Sequence, residues 1–122
     1  MALITGNVLR GDGIAGKRDG VPTANIGLID AADLGFGTYA GYATWGDKRY
    51  EAMIYYGAND PKKLEVHLLN FIGDMYGTRL SVDPRSKISE YVPWTTEDAM
   101  KRKIADDISR TRAFFASQKH VA

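Results

Sequence analysis

Gly11-Asp12-Gly13-Ile14-Ala15-Gly16 followed by Lys17 and Arg18 is the first stretch of this sequence equipped to hold a charged ligand. Glycine lets backbone N–H groups approach phosphate oxygens without a Cβ between them, and the two cations can neutralise the charge. The spacing also satisfies GxGxxG, but a dinucleotide loop must open directly into a helix, and Gly20 and Pro22 follow instead. A plain loop between strands with a basic tip fits the composition equally well. Next comes Pro22-Thr23-Ala24-Asn25, in which the proline fixes an extended backbone and the threonine and asparagine, two residues apart, project to one side. Two neutral hard oxygen donors suit a magnesium ion that arrives with a nucleotide, because substrate phosphates already supply most of its ligands. The same two side chains also serve as turn hydrogen-bonders. In Leu64-Glu65-Val66-His67-Leu68, alternation puts Glu65 and His67 on one strand face. On the residues alone these are a solvent-facing carboxylate and a hydrogen-bonded structural histidine.

The elements that must position these residues belong to one domain, 1–122. At 122 residues, 44% hydrophobic and 25% charged, the chain has material for one core and no second domain. Sixteen Lys+Arg against fifteen Asp+Glu leave a formal charge of +1, so no global field recruits nucleic acid or an anionic membrane. The absence of cysteine excludes disulfides, thiolate metal sites and a cysteine nucleophile, and two histidines are too few for a histidine-rich metal cluster. No apolar run approaches the ~20 residues of a membrane span, and the first residues lack a signal peptide's apolar region. The expected setting is cytoplasmic, and the expected state a monomer.

Short β-type runs fill the first two thirds. Ala2 to Arg10 reads as a strand. Thr38 to Trp45 and Lys48 to Tyr56 flank Gly46-Asp47 as a hairpin with a tight primed turn. Leu64 to Phe71 and Thr78 to Val82 are further strand candidates. Five short strands without interleaved helices favour an antiparallel, closed or nearly closed sheet over about 1–83. After Pro93-Trp94 the pattern turns helical over about 95–116. Thr95 is placed to cap, with Asp98 three residues on, and Met100, Ile104, Ile108, Thr111 and Phe115 form one apolar face. Acid-before-base pairs at Glu97/Lys101, Asp98/Arg102 and Asp106/Arg110 mark the solvated side.

Taken together, Gly6-x-Val8-x-x-Gly11-x-Gly13, Gly16-Lys17 and Gly20-Val21-Pro22-Thr23-Ala24-Asn25 resemble the opening of riboflavin kinases, including the kinase module of bifunctional riboflavin kinase/FAD synthetases. The resemblance continues through Gly37-Thr38-Tyr39-Ala40, Leu64-Glu65-Val66-His67-Leu68-Leu69, Met75-Tyr76-Gly77 and Ile104-x-x-Asp107. It implies a mainly β fold, a six-stranded antiparallel Greek-key barrel with a C-terminal α-helix. It also implies transfer of the ATP γ-phosphoryl group to the ribityl 5′-hydroxyl of riboflavin, with FMN as product. By the same resemblance Gly11, Gly13, Gly16 and Lys17 enclose the nucleotide, and Thr23 and Asn25 contact it through Mg2+. Glu65 is then the catalytic carboxylate, and Tyr91 and Trp94 are candidates to stack on the flavin.

Two loops depart from the family pattern. Where the family carries an arginine after the hydrophobic residue at 88, this chain has Ser89. Losing a charge-assisted hydrogen bond there would cost on the order of 1.5 to 3 kcal/mol, unless Arg85 or Lys87 substitutes. The stretch Gly57-Ala58-Asn59-Asp60-Pro61 is altered as well. These changes keep a second reading open, a non-catalytic flavin- or nucleotide-binding relative.

Overall fold

The computed structural model describes residues 4–9, 17–18, 21–27, 34–58, 63–70 and 77–119, with backbone alone for 9, 17–18, 21–25 and 119. Seven strands precede one helix: β1 (Ile4–Leu9), β2 (Lys17–Arg18), β3 (Val21–Gly27), β4 (Gly37–Trp45), β5 (Lys48–Tyr56), β6 (Lys63–Leu68), β7 (Arg79–Glu90) and α1 (Glu97–Lys119). The sheet order is β1-β7-β4-β5-β6-β3-β2, every pairing is antiparallel, and a further β1–β3 pairing closes the ring. Six strands therefore make the Greek-key barrel, and the two-residue β2 is a flap on the edge of β3.

Alternation decides which side chains fill the barrel. Ile4, Val8, Ile26, Tyr39, Ala43, Ala52, Ile54, Tyr56, Leu64, Val66, Leu68, Leu80 and Val82 form one buried cluster inside it. They come from every barrel strand, so each strand contributes one face to the core and turns the other outward. The outward face of β4 meets the helix: Ala40, Leu69 and Phe115 are buried together, with Tyr42, Ile88, Ile108 and Phe114 packed around them. The edge of Phe115 meets Tyr42 at a ring separation of 5.5 Å. The expected helix face is thus confirmed at Ile108, Thr111 and Phe115, of which Thr111 is fully buried.

The hairpin turn falls at Gly46-Asp47, where Gly46 has φ of 63°, the left-handed conformation a primed turn requires. At Gly41 the barrel wall closes in. A Cβ there would collide with the backbone oxygen of Asp83 on β7, so glycine permits the strands to approach where the ladder is irregular.

Three boundaries differ from the sequence reading. β6 ends at Leu68, not at Phe71. β7 continues to Glu90, well beyond the limit of about 83, even though it contains Pro84. The register against β4 slips between Ala40 and Gly41 and again between Thr38 and Tyr39, leaving Arg85 and Ile88 as the extra residues. Pro84 sits at the first bulge, where a strand tolerates a residue without an N–H. The helix begins at Glu97 and runs to Lys119, and its cap is Thr96: the Ala99 N–H donates to Thr96 Oγ1 at 3.1 Å. The expected cap, Thr95, lies one residue too early.

Candidate active site

The register of β3 against β6 sets Thr23 opposite His67 and Asn25 opposite Glu65. On the far side of β6, β5 sets Met53 opposite His67 and Tyr55 opposite Glu65. Directly opposed residues of an antiparallel pair share a face, with Cβ atoms about 4.5–5.5 Å apart. Positions 23, 25, 65 and 67 therefore form one block on the outward face, because the intervening Leu64, Val66 and Ile26 fill the interior. Within that block His67 is 2% exposed and Glu65 only partly covered, so the carboxylate retains access to solvent and the imidazole is enclosed.

Lys17 lies in β2 opposite Pro22, which brings the flap to the start of the segment bearing Thr23 and Asn25. Gly11, Gly13 and Gly16 lie outside the described residues, as do the side chains of Lys17, Thr23 and Asn25. Among the described residues no cluster of three His, Asp or Glu side chains is arranged to hold a metal. Threonine and asparagine carry hard oxygen donors of the right chemistry for Mg2+ carried by phosphates, and the register places positions 23 and 25 beside positions 67 and 65 of β6.

An aromatic group stands at the barrel end where β4 begins and β5 stops. Phe36 lies 5.1 Å from the Tyr56 ring and 5.9 Å from Tyr91, both tilted. The Tyr39 hydroxyl donates to the Gly35 carbonyl at 2.6 Å and so pins the segment that presents Phe36. Of the two expected flavin contacts, Tyr91 joins this group, while Trp94 stands three residues further along, 63% exposed. Phe36 and Tyr56 were not singled out from the sequence, where they look like ordinary strand-end hydrophobics. Glu65 belongs to the same end, since its neighbour Tyr55 precedes Tyr56 by one residue. Lys87 reaches the same rim. It donates to Glu90 Oε2 at 2.8 Å, and that hydrogen bond raises its pKa above lysine's ordinary value against the opposing effect of burial.

Behind the rim, Asp107 of the helix is buried against the barrel. Thr38 Oγ1 of β4 donates to its Oδ2 at 2.9 Å, and Ser89 Oγ of β7 donates to its Oδ1 at 2.7 Å. Lys103 Nζ donates both to Asp107 Oδ2 at 2.6 Å and to Ser89 Oγ at 3.0 Å. The cation beside Ser89 is therefore supplied by the helix. Arg85 and Lys87, the two residues weighed as substitutes there, pair with other carboxylates: Arg85 binds Asp83 at 2.7 Å and Lys87 binds Glu90.

The chain is thus a closed antiparallel barrel with a covering helix, with positions 23, 25, 65 and 67 on one outer wall and an aromatic group at the adjacent rim. A family model described as "Flavokinase: Riboflavin kinase" matches residues 2–115, and the chain belongs to the riboflavin kinase family. It is 34% identical over 122 residues to a bifunctional riboflavin kinase/FMN adenylyltransferase of Escherichia coli strain K12, covering 95% of this chain and 39% of that protein. The corresponding protein of Pseudomonas fluorescens is 31% identical, with 96% and 39% covered. The chain thus spans about two fifths of the length of these relatives. A riboflavin kinase of Homo sapiens is 35% identical over 88 residues, 63% of this chain and 57% of that protein. Among solved structures, a riboflavin kinase from Trypanosoma brucei shares the fold with a TM-score of 0.65 at 22% identity, covering 93% of this chain and 76% of that one.

Proposed function

We propose that the chain is an ATP-dependent riboflavin kinase that phosphorylates the ribityl 5′-hydroxyl to give FMN and ADP. The observation that carries this reading is the register pairing Asn25 with Glu65, which sets the candidate magnesium donor and the candidate carboxylate side by side on neighbouring strands. Phosphoryl transfer asks the protein chiefly to align two substrates and to balance charge on phosphate oxygens. Gly11, Gly13, Gly16 and Lys17 would surround the nucleotide phosphates, and Thr23 and Asn25 would hold magnesium. Bound with ATP, that ion would offset the negative charge of the phosphates. Phe36, which packs on the buried Tyr56, and Tyr91 would offer ring faces for the isoalloxazine, with Trp94 three residues further along the chain. Glu65 would orient the 5′-hydroxyl and accept its proton as the oxygen bonds to the γ-phosphorus and ADP departs.

Incubation of the protein with riboflavin, ATP and Mg2+, followed by separation of the flavins, tests the reading. FMN should form, and Glu65→Gln should lower its rate by roughly 10² to 10⁴ while nucleotide binding persists. Riboflavin bound tightly without any FMN would instead identify a flavin-binding relative, the reading favoured by serine at position 89.

A further inference from the structure

We propose that Lys103 is a positioning residue for segment 91–96, the part of the chain that carries Tyr91 and Trp94. That segment has no regular secondary structure and links the end of β7 to the start of α1. Its anchors on both sides meet at one point. Ser89 is two residues before Tyr91, and Lys103 and Asp107 lie on the first half of the helix it enters. Lys103 Nζ, Ser89 Oγ and the Asp107 carboxylate form a closed triangle of hydrogen bonds of 2.6, 2.7 and 3.0 Å. Thr38 adds the tie to β4.

The ammonium has a specific task in this triangle. Asp107 and Lys103 have side chains only 5% and 16% exposed, so the carboxylate depends on protein partners and not on water for its charge. The ammonium can only donate, so Ser89 Oγ accepts from Lys103 and its single proton is directed to Asp107. The lysine thus fixes which way the serine hydroxyl points, and with it the end of β7 relative to the helix. Removing the charge leaves Asp107 with two neutral donors from two different strands. The end of β7, from which Tyr91 projects toward Phe36, is then held from the helix side only by the Ser89–Asp107 hydrogen bond and the packing of Ile88.

Amide hydrogen exchange and steady-state kinetics on Lys103→Met test this, since methionine keeps the length and apolar stem of lysine. Exchange should accelerate in peptides covering 90–96 while β5 and β6 stay protected. Resting on the proposed kinase activity, the KM for riboflavin should rise about tenfold, the effect of one lost charge-assisted hydrogen bond, with the KM for ATP unchanged. Lys103→Arg, or the double variant Ser89→Arg/Lys103→Met that returns a cation from the strand side, should restore both readouts. Unchanged exchange at 90–96, acceleration spread equally over β5 and β6, or restoration by neither variant would overturn the proposal. A wild-type protein that makes no FMN would refute the kinase reading alone, since exchange still reports on Lys103.

Discussion

Four polar side chains, Thr38, Ser89, Lys103 and Asp107, meet between helix and barrel, and each has its partner: among the described residues no buried side-chain nitrogen or oxygen is left unbonded. Asp107→Asn removes the charge and leaves the shape. It strands the ammonium of Lys103 in a site only 16% exposed and puts an amide donor where Thr38 or Ser89 donates. A loss of about 3 kcal/mol is expected, the lower end of the range for breaking a buried ion pair because lysine's flexible stem can carry its charge to solvent. A lower urea midpoint with unchanged slope would register it. Asp107 was visible in the sequence only as part of a family motif, and Lys103 was not visible at all. Their order, base before acid at four residues, is the weaker helical arrangement, and nothing local indicates that both turn inward. Glu65 and Asn25 present the converse case. The family resemblance named both from the sequence, but their adjacency is a product of strand register between segments forty residues apart, which no local pattern encodes.

At the level of elements, the hairpin and the helix were legible because turn chemistry and 3.6-residue periodicity are local signals. β7 was legible only as far as Val82, for physical reasons that can be named. Pro84 interrupts it, and the extra residues Arg85 and Ile88 each break the alternation by which strands are recognised. The second bulge is also what serves the site. Two consecutive residues, Ile88 and Ser89, turn toward the helix, the first into its apolar contact and the second onto Asp107. The helix start supplies a sharper test, since two threonines precede it and only one caps. Thr96→Ala should cost about 1 kcal/mol and Thr95→Ala close to nothing, read as a difference in thermal midpoint between the two single variants.

For the molecule as a whole, closed antiparallel sheet plus one helix was the reading that composition and strand spacing supported, and the fold bears it out. The topology that closes the barrel could not be derived from these signals, since β1 reaches both β3 and β7 across very different sequence separations. The rim pair Lys87–Glu90 sets an expectation for stability against pH. The folded state raises the pKa of Lys87, so its contribution is complete below lysine's ordinary value of 10.5 and disappears as pH climbs through the higher folded value. Comparing urea midpoints of wild type and Glu90→Gln should therefore give a gap that is constant across neutral pH and narrows only in strong alkali.

The position of β7 between β1 and β4 has a consequence for how the protein is made. While the chain emerges from the ribosome, β1, β3, β6, β5 and β4 can assemble into a curled five-stranded sheet, but both outer strands stay open for want of the seventh. Only when β7 emerges does one insertion zip two seams at once, and the helix that follows seals the outside of that closure. The nascent protein is therefore most vulnerable to intermolecular strand pairing just before β7 emerges, when nearly all of its core residues already exist and the strand that locks them in does not.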